Sequence, residues 1–126
     1  MPEAKSTTTF LNVDLEIRVQ SGLEELLRHF EPLAFALHQT AQDALVELNA
    51  EYNSLEDCLV KLVELVQSLP EQARTIWDRC EFRRMNIGIQ AGYEPHDTCF
   101  TISSRTIALL AGLQTEISFT VYAPND

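Results

Sequence analysis

The chain predicts an α+β domain, with helices packed on one face of a mainly antiparallel or mixed sheet in the order β-α-β-β-α-α-β-β-α-β. Three observations carry this expectation. Residues 11–20, LNVDLEIRVQ, alternate apolar and polar side chains without a fault, the period of a strand with one wet face. Residues 55–69 place Leu55, Leu59, Leu62, Val66 and Leu69 along one helical stripe. Both kinds of run recur through a chain of 126 residues, and one sheet covered on one side by helices buries every apolar stripe.

The elements follow in order. Residues 1–9, MPEAKSTTT, read as a disordered tail ahead of a domain over 10–126. In the first strand Leu11, Val13, Leu15, Ile17 and Val19 share the inner side. Ser21, three residues before Glu24, has the spacing of a capping box, and Leu23, Leu26, Leu27 and Phe30 then run at helical spacing to Pro32. Residues 33–50 suit either one long helix or a hairpin. The hairpin is preferred, because Pro32 ends the preceding helix and a polar QTAQD turn separates two alternating runs. Ser54 with Asp57 caps the next helix, Pro70 breaks it, and Ala73, Ile76, Trp77 and Cys80 mark a shorter one. RMNIGIQA, 84–91, and TCFTIS, 98–103, alternate as strands. Ser103 or Ser104 caps a last helix carrying Ile107, Leu110 and Ala111, with Gly112 near its end. TEISFTVY closes the chain as a strand with Ile117, Phe119 and Val121 on one face.

Composition narrows the function classes. Nineteen acidic residues against nine basic ones give a net charge of −10, the wrong sign for holding a phosphate backbone, so nucleic acid is not an expected partner. The same charge would steer a basic protein toward the chain. No apolar run is long enough for a membrane span, and the N-terminus lacks the basic and apolar stretches of a signal peptide. Cys58, Cys80 and Cys99 cannot all pair within one chain and form no C-x-x-C. Reduced thiols in the cytoplasm are the expectation.

The densest cluster of reactive side chains is YEPHDTCF, 93–100, with Glu94, His96, Asp97 and Cys99. Its position between two alternating runs predicts a hairpin turn. It lacks the helical or paired spacing that orients metal ligands, and Cys99 has only His96 nearby to activate it. Cys58 and Cys80 read as small buried hydrophobes, and Trp77 as core. Arg74, Arg79, Arg83 and Arg84 are interleaved with Asp78 and Glu81, the pattern of local ion pairing on a helix end.

The polar sheet face offers more. Asp14, Glu16, Arg18, Asn86 and Gln90 put charges and amides on strands whose other sides are apolar. Gly88, between two isoleucines, marks a bulge or a close approach of another group. These six residues form the candidate binding surface; no catalytic residue, metal ligand or cofactor is assigned.

The runs VDLEIR, RRMNIGIQ and SFTVYAP resemble those of uncharacterised bacterial families of small α+β proteins. The resemblance implies the fold and no active residues. The functional expectation is a non-enzymatic binding protein acting through a protein–protein surface, its partner a basic protein, with a homodimer through a sheet edge compatible. The alternative is a small-molecule-binding or regulatory domain using the polar face.

Overall fold

The computed structural model describes residues 7–124. Its elements are β1 (Thr9–Arg18), α1 (Leu23–Phe30), β2 (Ala34–Gln39), β3 (Asp43–Leu48), α2 (Leu55–Gln67), α3 (Glu71–Asp78), β4 (Phe82–Gln90), α4 (Ser104–Gly112) and β5 (Glu116–Tyr122). The five strands make one mixed sheet in the order β2-β3-β1-β4-β5. β1 pairs antiparallel with β3 and β4, β2 antiparallel with β3, and β5 parallel with β4. A parallel neighbour requires a crossover, supplied here by α4.

The alternation of β1 becomes its two faces. Val13, Leu15 and Ile17 are buried while Asn12, Asp14, Glu16 and Arg18 are half-exposed. Met85, Ile87 and Ile89 of β4 extend the buried side, and one core cluster joins them to the inner stripes of the helices. On α2 that stripe is Leu55, Leu59, Leu62, Val66 and Leu69. Ser54 caps α2 by accepting from the Asp57 N–H. Trp77 is wholly buried, and Cys58 and Cys80 are buried too. Residues 33–50 form the hairpin, its turn held by Thr40 Oγ1, which accepts from the Asp43 N–H at 2.9 Å.

Several local expectations are corrected. The tail expected over 1–9 is ordered from Thr7: Thr7 bridges to Glu94, Thr8 N–H donates to the Glu94 carbonyl, and Thr9 opens β1. Residues 1–6 lie outside the described residues. The N-cap of α1 is Gly22, at φ 91°, with no side-chain cap bond, so Ser21 makes no capping box. The left-handed turn at Gly22 lies against Ile76, where a Cβ would stand 3.2 Å from its side chain, and the positive φ itself favours glycine.

Residues 98–103 join no ladder. Both edges of β4, the strand before it, are already taken by β1 and β5, so the run cannot form a hairpin with β4. Its alternation survives as packing, with Phe100 and Ile102 against the core and Cys99 and Thr101 exposed. YEPHDTCF is therefore the start of the crossover from β4 to β5 rather than a hairpin turn.

The buried stripe of α4 is Thr106, Leu110 and Leu113, leaving Ile107 half-exposed. Thr106 is affordable inside because Glu56 of α2 receives its hydroxyl at 2.6 Å, along with the Ser103 N–H at 2.8 Å and hydroxyl at 2.9 Å. These bonds hold the Glu56 carboxyl below the usual carboxylate range, the Thr106 hydroxyl contributing most. Finally, Phe119 and Val121 lie on the helix side of β5 but stay exposed, since β5 is the sheet's edge and the buried positions of α4 stop short of covering it.

The arginine cluster divides its tasks. Arg74 pairs with Asp78 at 3.3 Å as expected of a solvated helix. Arg83 has the strand parity of Met85 and reaches under α3, donating to the carbonyls of Trp77 (2.7 Å) and Cys80 (2.9 Å). It also donates to the backbone and side-chain oxygens of Gln114 at 3.1 and 3.2 Å. Gln114 takes the left-handed conformation after α4, φ 53°, the place in which glycine had been expected at 112.

Candidate functional site

The half of the sheet without helices is a polar surface built by the even-numbered residues of β1 and β4 and the odd-numbered residues of β3. The register places Asp14 opposite Asn86, Glu16 opposite Arg84 and Arg18 opposite both Phe82 and Asp43. Most of the charges are matched. Arg84 pairs with Glu16 at 2.6 Å and stacks on Phe82, its guanidinium carbon 4.8 Å from the ring centre. Arg18 pairs with Asp43 at 2.7 Å and lies 3.9 Å from Glu81.

The six residues singled out from the sequence therefore separate. Glu16 and Arg18 are engaged in ion pairs. Asn86 accepts the Thr120 hydroxyl at 2.8 Å, a tie between β4 and β5. Gln90 donates to the carbonyls of Ala123 (2.8 Å) and Ala91 (3.1 Å) and fastens the last residues of the sheet. Asp14 and Gly88 remain, and the structure joins them to two residues the sequence did not single out, Asn12 and Glu47.

Asn12 is the hinge of this group. Its amide donates to Asp14 Oδ1 and to Glu47 Oε2, both at 3.2 Å, so two carboxyls share one neutral donor, and among the described residues no ion pair reaches either of them. Burial pushes the Asp14 carboxyl up to about 6, reinforced by the charge of Glu47, a hydrogen bond with it, and the charge of Glu16. Near neutral pH the group sits close to exchanging a proton.

Gly88 explains how Asn12 fits. The two residues face each other where β1 is bulged between Phe10 and Asn12, and a Cβ on residue 88 would stand 2.9 Å from Asn12 Oδ1. The bulge also turns Leu11 outward, to 48% exposure, against its expected place on the inner side. Gly88→Ala is expected to push Asn12 off the two carboxyls. The contact should outweigh the alanine's better strand propensity and cost about 1 kcal/mol net, read from the urea midpoint, while the carboxyl NMR titration of Asp14 moves further upward as it loses its donor.

Beside this group the sheet opens. β1 pairs with β3 only from Leu15 onward, and β3 ends at Leu48 while β1 continues back to Thr9. The resulting cleft has a volume of about 810 Å³ and is lined by Phe10 and Asn12 of β1, Phe35 of β2, Glu47 of β3, Tyr52 of the β3–α2 loop and Cys58 of α2. Its size is within the range of small-molecule sites. Burial pushes the Cys58 thiol up to about 11; a hydrogen bond from the Val13 backbone opposes this, and the charges of Glu47 and Asp14 add to it. At neutral pH the cleft therefore presents a thiol, a weak nucleophile, rather than a thiolate.

Elsewhere, Glu94, His96, Asp97 and Cys99 are exposed on the crossover. Among the described residues no group of three or more His, Cys, Asp or Glu side chains is placed to hold a metal ion, and no helix is long and apolar enough to cross a membrane. Comparison with family models, with curated proteins and with solved structures returned no match.

Proposed function

We propose that the protein is a binding protein whose open sheet face receives a basic partner protein, with an arginine or lysine of that partner held between Asp14 and Glu47. The observation that carries this reading is the uncompensated pair itself. On a face where Arg84 and Arg18 are matched to acids, two adjoining half-exposed carboxyls are linked by the Asn12 amide and by a hydrogen bond to each other, with no ion pair to either among the described residues. A guanidinium offers two donor edges to such a pair, and charge-assisted bonds of that kind are the stronger sort. The net charge of −10 would speed the encounter.

A cation at this place favours the ionised form of Asp14, so binding is coupled to release of its proton. The affinity should rise with pH through about 6 and level off above, falling by about tenfold between pH 7 and pH 5.

A second reading has one observation in its favour. The aromatic residues Phe10, Phe35 and Tyr52 around the cleft, with Glu47 on its wall, suit a small organic cation, since aromatic faces attract positive charge.

A titration followed by backbone amide NMR separates the two, using a short arginine- and lysine-containing peptide in one arm and agmatine in the other. The expected result is saturable, pH-dependent shifts at Asn12, Asp14 and Glu47 with the peptide, abolished in the Asp14→Asn/Glu47→Gln double variant. Saturable binding of agmatine, with nothing gained from the peptide, supports the small-molecule reading instead. Shifts scattered over all acidic positions and unchanged in the double variant would remove both.

A further inference from the structure

The two edges of the sheet are built differently. β2 has six residues, begins just after Pro32 and carries a register shift between Ala36 and His38, features that spoil an edge for pairing. β5 has seven residues, Glu116–Tyr122, in unbroken register against Arg84–Gln90. It contains no proline, no lysine and a single charge, Glu116. Phe119, Val121 and Tyr122 are 54%, 60% and 52% exposed. An edge of this kind is an open template for another strand.

The main chain shows which groups are free to pair. The Ala91 N–H donates to the Tyr122 carbonyl at 2.9 Å, so the even-numbered residues of β5 turn their peptide groups toward β4. In a parallel ladder the alternate residues turn theirs away. Ile117, Phe119 and Val121 accordingly direct both N–H and C=O outward.

We propose that β5 pairs antiparallel with the β5 of a second copy of this chain, about a two-fold axis at Phe119, so that two sheets become one. Phe119 is among the outward-directed residues, and the axis therefore falls on a hydrogen-bonded pair, the arrangement in which both residues exchange both bonds. In this register Phe119 meets its own copy on the helix side, and Ile117 meets Val121. On the open side Ser118 meets Thr120 and Glu116 meets Tyr122. Apolar residues face apolar ones, hydroxyls face hydroxyls, and the carboxylate faces a phenol.

The self-complementary pairing along β5 argues for a second copy, and the placement of its one charge argues for this register. Two copies each carrying −10 repel over most approaches, yet along β5 the two Glu116 residues lie at opposite ends of the interface, about 20 Å apart at the rise of a strand. Moving the axis to residue 117 or 121 leaves one end of β5 without a partner strand. An isologous contact also closes on itself, which consumes the edge and prevents further growth. The interface lies beyond β4 from the Asp14–Glu47 group and is independent of the reading given above.

Sedimentation velocity over a range of micromolar concentrations tests the proposal on the whole chain. The wild type is expected to be a dimer, and Phe119→Lys and Phe119→Glu each a monomer whose circular dichroism and melting remain those of a folded chain, because the replaced side chain is exposed. Mixing the two variants should restore a dimer, since lysine then meets glutamate across the axis. A monomeric wild type, an assembly larger than two, a dimer that persists in Phe119→Lys, or failure of the mixed variants to pair would each overturn it. Phe35→Lys on β2 is the control; loss of the dimer there and not at Phe119 places the contact on the other edge.

Discussion

Asp14→Asn should make the protein more stable at pH 7.5, raising its melting temperature by about 4–8 °C, and should make no difference near pH 4. The sign follows from where the proton resides. The unfolded chain holds Asp14 at the ordinary carboxylate value of about 3.9, while in the folded chain burial and Glu47 push it up to about 6. Stability from the bound proton is fully present below about pH 4 and is lost as the pH rises through 6. The full displacement corresponds to about 3 kcal/mol; on this half-exposed face solvent screening reduces it to about 1–2 kcal/mol. At about 4 °C per kcal/mol for a chain of this size, that is the shift given above. The asparagine carries no charge to desolvate and donates to Glu47, so the penalty disappears. A melting series from pH 4 to 8 with both proteins decides it: parallel curves at all pH values would mean that Asp14 titrates like any exposed carboxylate.

The second large effect is expected at Arg83. Arg83→Ala should destabilise the fold by about 2–3 kcal/mol, measured by urea denaturation. Arg83 closes α3 from the side, serving the Trp77 and Cys80 carbonyls, and binds Gln114 through both its backbone and its side chain. Its guanidinium also lies 5.8 Å from the ring centre of Trp77. Hydrogen bonds from a charged donor contribute about 1.5–3 kcal/mol each, and a carbonyl left without a donor costs more when it is partly buried. Lysine has a point charge in place of a fork and cannot serve α3 and Gln114 together, so Arg83→Lys should retain less than half of the effect. Trp77 is the sole tryptophan, and its fluorescence gives a local readout: Arg83→Ala should shift the native emission to the red as water reaches the end of α3. A loss below about 0.5 kcal/mol would show that water replaces the guanidinium at little cost.

Local pattern reached most of the architecture. β1, α2 and β4 were legible because their periods are long and uninterrupted, and the hairpin at 34–48 because Pro32 and the polar turn outweigh a helical reading. The misreadings share one cause. Alternation reports that a segment has two unlike sides, not that a strand lies beside it. TCFTIS has two sides and joins no strand ladder; Phe119 and Val121 occupy the inner side of β5, yet more than half of each stays exposed. Leu11 fails for a different reason, a bulge opposite Gly88, although the glycine itself signalled such an irregularity. The site follows the same division. Asp14 was recognisable on the wet face of β1, but its pairing with Glu47 depends on the register of β1 with β3, set by pairs running from Arg18 with Asp43 to Leu15 with Val46. Glu16, Arg18, Asn86 and Gln90 were as conspicuous as Asp14 in the sequence, and only the partners around them distinguish an occupied charge from an available one.

The order β2-β3-β1-β4-β5 also governs how the chain comes together in time. β1 is the first strand of the sequence and the middle of the sheet, and its partner β4 lies so far along the chain that Thr9 pairs with Gln90. The hairpin β2–β3 can close locally and dock on one flank of β1, whereas the other flank waits for α1, α2 and α3 to be traversed. Closing that loop costs entropy before any contact repays it, so the central pairing is expected to form later than the β2–β3 hairpin. Until β4 arrives, Asn12 and Asp14 belong to an open edge, and the polar face does not yet exist.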